Sequence, residues 1–393
     1  MSNGQSNHMR ILSIDTSCDE TAVAVTEGTK VLSNIIWSQA SLHAKFGGVY
    51  PSLAQREHAK RIDWVIEKAL KTAFPKILVP SAYSLLPNYI DAVAVTVGPG
   101  LAIALEVGIK KAKELCKKYE KPIIPANHVE GHLLSPLARP KNSPTTSDHL
   151  LTTNISFPSI GLVVSGGTTQ LIFIKKIGDY EILAETIDDA LGEALDKGAR
   201  MLGLGYPGGA ILEKIAREGH RLGHWPGGRA SGSERNPESY SLPIPLIGQE
   251  ERHVFSYSGL KTALYRLIEK EKPLTKTKIE NLAASYQDVA FDHLIRVLRF
   301  VLTNNYSLVP SALFVGGGVG ANVELRKRIR KMCKEFNISP LFPYSKKLYG
   351  DNAAMIGVAA YFKAQKKEFA KDIEKVERIP RARIDEPFPS QFC

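Results

Sequence analysis

Two histidines in the segment NHVEGH (127–132), His128 and His132, are four residues apart, a spacing that suits a metal ion. On a helix, positions i and i+4 share one face, so both imidazoles can reach a single ion. Glu130 lies two positions from each and projects elsewhere. That separates the segment from the HExxH of metalloproteases, where the Glu follows the first His directly. The same spacing also suits two polar residues on a solvated helix face. Two imidazoles make a poor site alone, and Asp351 in YGDNAAMI (349–356) is a possible third ligand. It stands immediately before a run of good helix formers. There it either caps the helix or presents a carboxylate where an anionic substrate would also gather.

Glycine-rich segments supply a second kind of chemistry. In VSGGTTQ (164–170), glycines remove side-chain bulk so that backbone N–H groups and hydroxyls can approach a phosphate. Gly316–Gly318 precede a helix, as a phosphate- or adenosine-binding turn does, though both segments also suit ordinary turn geometry. GxGxxG and GxxxxGK[ST] are absent, so neither a dinucleotide fingerprint nor a P-loop is supported.

The elements that must position these groups alternate between strand and helix. Arg10–Asp15 (RILSID) reads as a buried strand, Thr16–Glu20 as a polar turn and Thr21–Thr26 (TAVAVT) as a second strand. Arg56–Phe74 has helical apolar spacing. Ile90–Val97 reads as a strand broken by Gly98–Pro99–Gly100, with a helix following to about Glu120. Lys141–Pro158 is rich in Ser, Thr, Asn and Pro and reads as a loop. After it, Ser159–Ile174 repeats the opening strand–turn–strand pattern. Thr186–Leu202 reads as a capped helix carrying a Glu193/Lys197 pair, and residues 215–252 as a surface excursion. Thr277–Asn304 reads as a long amphipathic helix, Ser311–Gly320 as a strand entering glycines, and Ala321–Phe336 as a basic helix. The last carries Arg326, Lys327, Arg328, Arg330, Lys331 and Lys334, which suit either an RNA backbone or a solvated face. The repeated pattern predicts an α/β fold of two related halves facing a cleft.

Composition narrows the partners. The chain has 393 residues, 44% hydrophobic and 23% charged, which is enough for two ordinary domains. No apolar run is long enough to cross a membrane. Lys and Arg number 51 against 40 Asp and Glu, a net charge of +11 that favours a polyanionic partner. The four cysteines are scattered and form neither a disulfide framework nor a CxxC pair. Residues 1–9 (MSNGQSNHM) read as an expression scar.

Taken in order, IDTSCDETAVAV, HAKFGGVYPSLAQREH, NHVEGH, LVVSGGTTQL, TIDDALGEALDKGARMLGLGYPGG, FSYSGLKTA, GGGVGANVELR and GDNAAM resemble the tRNA N6-adenosine threonylcarbamoyltransferase family, from about Arg10 to Lys366. The resemblance implies an actin-like ATPase superfold, with two RNase H-like domains around a nucleotide cleft. The expected division is 10–134 with 367–393 against 135–366. It implies transfer of threonylcarbamoyl from threonylcarbamoyl-adenylate to N6 of the adenosine 3′ of the anticodon in tRNAs reading ANN codons. His128, His132 and Asp351 are the implied metal ligands and catalytic centre, holding one divalent ion (Zn, Fe or Mg). Val163, Val164, Ser165, Gly166 and Gly167 are the implied lining of the adenylate site. Asp196, Gly209, Glu213 and Asn322 are the implied further contacts, and Asp19, Glu20, Gly317 and Gly318 are cleft residues.

Archaeal-type relatives carry a Tyr in the strand before SGG where this chain has Val163 and Val164, and bacterial members read SGGHTQ where it has Thr168. The 141–158 insertion and the basic charge point to the mitochondrial branch. A matrix address is therefore expected, otherwise a cytoplasmic one, with a homodimer and a separate adenylate-making enzyme as partners. The rival readings are a small-molecule kinase of the same superfold, a metalloprotease, and a non-catalytic scaffold subunit of a tRNA-modification complex.

Overall fold

The structure is a computed structural model and describes residues 9–77, 79–143, 155–221, 240–304, 310–390 and 392. The central strands form from runs whose side chains are buried on both faces. β1 (Arg10–Asp15) pairs in parallel with β4 (Ala92–Gly98), every residue of which is buried. Such strands read as continuous apolar runs because both faces meet the core. β2 (Glu20–Glu27) and β3 (Lys30–Ser38) extend one edge antiparallel, and β5 (Ile123–Asn127) extends the other in parallel. The resulting order is β3-β2-β1-β4-β5.

The second sheet repeats this plan with β6 (Ser159–Val164), β7 (Thr169–Lys176), β8 (Asp179–Thr186), β10 (Ala312–Gly316) and β11 (Ser339–Leu341). Its order is β11-β10-β6-β7-β8-β9, where β9 (Val254–Phe255) adds a short parallel edge. In both sheets an antiparallel three-strand meander is joined to two parallel strands. The two related halves predicted from the repeated hairpin are thus present as matching strand orders.

Nine helices of seven residues or more lie among the described residues. They are α1 (Pro51–Ala73), α2 (Ala102–Tyr119), α3 (His128–Leu134), α4 (Leu191–Met201), α5 (Gly209–Arg221), α6 (Ser258–Glu271), α7 (Lys276–Asn304), α8 (Val323–Glu335) and α9 (Ala353–Gln365). α1 and α2 cover the outer face of the first sheet through Ile62, Val65, Ile66, Leu105 and Ile109. α4 to α8 form the outer layer of the second sheet. α3 and α9 lie between the sheets, their Leu133, Leu134, Ile356 and Val358 packed with Ile11 and Ala24 on one side and Ile172 and Phe314 on the other. α9 falls inside the 135–366 segment yet contacts β1, β2 and β5. No helix among the described residues is long and apolar enough to cross a membrane.

Two sequence expectations are corrected. Residues 186–190 are not helical, because Thr186 ends β8, paired to Phe255, and the helix begins only at Leu191. Residues 215–221 of the expected excursion belong to α5, whose buried Leu212 and Ala216 give it an apolar face, while 222–239 lie outside the described residues. So do 1–8 of the expected scar and 144–154 of the expected loop.

Candidate metal centre and nucleotide cleft

Asn127 ends β5 and begins α3 by turning its side chain back. Its Oδ1 accepts from the N–H of Val129 (2.8 Å) and of Glu130 (3.2 Å). That cap sets the phase of a seven-residue helix on which His128 and His132 share a face, their ring centroids 4.7 Å apart and nearly perpendicular. Glu130 points away from them, accepting from the Tyr180 hydroxyl at 3.0 Å. It is also 3.9 Å from Lys363. The carboxylate carried on the histidine helix itself is therefore turned away from the imidazole pair.

The cap of α9 is Asn352, whose Oδ1 accepts from the Met355 N–H at 3.1 Å, so the Asp351 carboxylate is free for other work. Its Oδ1 lies 3.1 Å from His132 Nε2 and 3.5 Å from His128 Nε2. Ligand atoms of the three residues all lie within 4.8 Å of one another, on groups largely buried. Tetrahedral coordination with bonds of about 2.1 Å places neighbouring donors about 3.4 Å apart, so the donor set fits one divalent ion.

Asp15, the last residue of β1, is fully buried with Oδ2 3.5 Å from His128 Nδ1. Both atoms are buried without a hydrogen-bond partner, and the contact sets a carboxylate against the far nitrogen of His128, the side from which outer carboxylates orient metal-binding imidazoles. Burial alone would push His128 down, but Asp351 and Asp15 outweigh it and hold the imidazole well above its ordinary range. For Asp351, burial is likewise overcome by the two histidines, which hold the carboxyl far below the usual value. His132 is lowered by burial and by the neighbouring His128.

Beside this centre the glycine turns are stacked on it. A Cβ on Gly316 would meet the His132 carbonyl oxygen at 2.0 Å, and one on Gly317 (φ +87°) would meet that of Val164 at 2.3 Å. Only glycine allows β10 to end this close to α3 and β6. Val163 and Val164 bury their side chains in opposite layers, so only their backbone borders the cleft. Ser165 closes the turn by accepting from the Thr168 N–H through Oγ (3.1 Å). Gly166, Gly167 and Gly318 face open space, where an added Cβ would meet nothing.

Across the cleft, Asp196 Oδ1 accepts from the N–H groups of Gly208 (2.9 Å) and Gly209 (2.6 Å). Burial still raises its carboxyl above the ordinary range against those two donors. One turn further along α5, Glu213 accepts from the Val323 N–H at 3.0 Å. Asn322 caps α8 through Oδ1 and donates to Gln287 at 2.9 Å. Asp196, Gly209, Glu213 and Asn322 therefore make one latched wall, with none of their hydrogen bonds reaching the histidines. The Glu20 carboxyl, at the start of β2, accepts from the Ser38 hydroxyl at 3.1 Å and is raised by burial and then by Asp19 and Asp351.

Sequence reasoning missed Asp15. The available signal was a lone acid closing the otherwise apolar strand RILSID. It also overcounted the basic helix, because Arg328 turns inward to Asp288, Asp292 (2.6 Å) and Glu324 (3.0 Å).

Known proteins resemble this chain along most of its length. The family model described as tRNA N6-adenosine threonylcarbamoyltransferase matches residues 30–358. The chain is 41% identical over 369 residues to the Bartonella henselae protein of that name, covering 89% of each. It is 38% identical over 387 residues to the one from Magnetococcus marinus, covering 96% of this chain and 98% of the relative. Among solved structures, T. kodakarensis HypF aligns with a TM-score of 0.52 at 14% identity, over 92% of this chain and 48% of the other. That likeness shows the fold, the actin-like ATPase fold, and nothing of the activity. His128, His132, Asp351 and both glycine turns fall within the matched span, and the chain belongs to the tRNA N6-adenosine threonylcarbamoyltransferase family, whose members are transferases acting in tRNA modification.

Proposed function

We propose that this protein transfers the threonylcarbamoyl group of threonylcarbamoyl-adenylate to N6 of the adenosine 3′ of the anticodon in tRNAs reading ANN codons, releasing AMP. The observation carrying this reading is the convergence of His128, His132 and Asp351 beside two open glycine turns.

The chain's own groups act by binding and orientation. N–H groups at Gly166, Gly167 and Gly318 are the donors best placed for the adenylate phosphate. Ser165 holds the first turn in shape, and the Asp196–Gly209 latch closes the opposite wall. His128, His132 and Asp351 would hold a divalent ion (Zn, Fe or Mg), which when bound supplies Lewis acidity toward the carbamoyl and phosphate oxygens. The adenosine amine attacks the carbamoyl carbon. The new C–N bond replaces the C–O bond to phosphate, the phosphate leaves with the electron pair, and the amine proton passes to it or to solvent. The mixed anhydride already carries the activation, so no covalent enzyme intermediate is required.

A separate enzyme supplies the adenylate in this reading, and the working unit is a homodimer. The 141–158 insertion and the basic charge favour the mitochondrial matrix, which fractionation of the tagged full-length protein tests.

The decisive experiment is reconstitution with tRNA, threonine, bicarbonate, ATP and an adenylate-making enzyme, read by nucleoside mass spectrometry. Modified nucleoside is expected from intact protein, and His128→Ala should lose roughly 100-fold or more. Intact protein that forms none, or that phosphorylates a small acceptor without tRNA, overturns the reading.

A further inference from the structure

Part of the basic charge on this protein is neutralised where it stands. On the outer face of α2, Lys111 pairs with Asp63 and Glu114, and Lys117 with Glu374. The groove of about 1100 Å³ beside them is lined by a nearly balanced mixture of both signs. One face differs. Arg326 and Arg330 of α8 both lie over the Phe342 ring at 4.9 Å, and Arg326 also over Tyr349 at 5.8 Å. Arg326 Nε is buried without a hydrogen-bond partner. Lys331, Lys346 and Lys347 stand exposed around them. Among the described residues no carboxylate lies within ion-pair distance of any of these five. The carboxylates that α8 does carry, Glu324 and Glu335, are engaged by Arg328 and Arg299.

Stacking on an aromatic ring holds a guanidinium in place while leaving its donors for another acceptor, and Arg does this better than Lys. An uncompensated, pre-ordered set of donors on one face is the electrostatic footprint of a polyanion. The chain path fixes its relation to the metal centre. Lys347 is four residues from Asp351, so their Cα atoms are at most about 14 Å apart.

We propose that the face formed by α8 and residues 342–347 grips the tRNA backbone next to the reacting adenosine, with Arg326, Arg330, Lys346 and Lys347 on its phosphates. This rests on the transferase reading above and specifies where the nucleic acid lies. Removing one cation from a phosphate lowers the slope of log K against log salt by about 0.7–0.9, and removing two weakens binding roughly tenfold near physiological salt.

The test measures binding of unmodified tRNA across a salt series. Lys346→Ala/Lys347→Ala should raise Kd about tenfold and reduce the slope by about 1.5, with the melting temperature retained. Lys71→Ala/Lys117→Ala, the same charge change at exposed lysines already paired with Glu67 and Glu374, should move neither. If the first pair fails to fold, Arg330→Ala/Lys331→Ala on the solvent side of α8 carries the same expectation. Unchanged Kd and slope, or an equal loss from the ion-paired control, overturns the surface while leaving the transferase intact, provided the wild type modifies tRNA. A wild type that neither binds nor modifies tRNA removes both.

Discussion

At the scale of single residues, the centre depends on groups whose chemistry is set by partners rather than by type. Glu130 and Asp351 are both carboxylates near the histidine pair. One is tied to Tyr180 behind the helix, the other is released by the Asn352 cap to face the imidazoles. Asp15 is the residue whose loss separates orientation from ligation. Asp15→Asn keeps the volume and removes the charge facing His128 Nδ1. Metal affinity should then fall roughly 10–100-fold by competitive chelator titration, with little change in melting temperature. An unchanged affinity would remove Asp15 from the centre.

At the scale of elements, two junctions invite test. Gly317 has φ +87° and no room for a Cβ against the Val164 carbonyl. Gly317→Ala should therefore cost on the order of 2 kcal/mol or more and loosen the glycine turn. The check is a denaturation midpoint together with nucleoside yield, and a neutral result would show that the turn tolerates strain. The second junction joins α7 to the segment entering α6, where His293 Nε2 accepts from the Ser256 N–H at 3.2 Å. Burial, reinforced by the positive Arg296, pushes His293 down to about 4, so the folded protein holds it neutral. The unfolded chain titrates near about 6.5. The stability from this group is present above that value and is lost as pH falls from about 6.5 toward 4, by about 2 kcal/mol at pH 5. His293→Gln should flatten that decline in denaturant unfolding at pH 7 and pH 5, and an unaltered pH slope would mean the imidazole is not held neutral.

At the scale of the whole molecule, the metal-bearing helix is clamped between two sheets, so packing and chemistry are coupled. Leu133 of α3 fills the space over Gly161, where a Cβ would come within 1.9 Å of its Cδ1. Leu133→Ala should cost about 2–5 kcal/mol and also weaken metal binding. Leu264→Ala, at a buried position in the outer layer of the second sheet, should cost a similar amount and leave metal affinity unchanged. Equal effects of the two on metal binding would argue that the clamp has no special role.

The features legible before folding were local: the spacing of His128 and His132, the glycines ahead of α8, the repeated hairpin, and the apolar runs that became β1, β4 and β6. These signals survive because they depend on periodicity and on residue type. Which carboxylates work at the centre was decided by the assembled fold. Asp351 is 219 residues from His132 in sequence and meets it at 3.1 Å, while Glu130, two residues away, does not meet it at all. The fold also turned Arg328 inward and left Arg326 unpaired on the same helix, and it ended β8 where a helix had been read. Capping, burial and charge pairing are settled between segments that the chain brings together only when it folds, and no local pattern encodes that meeting.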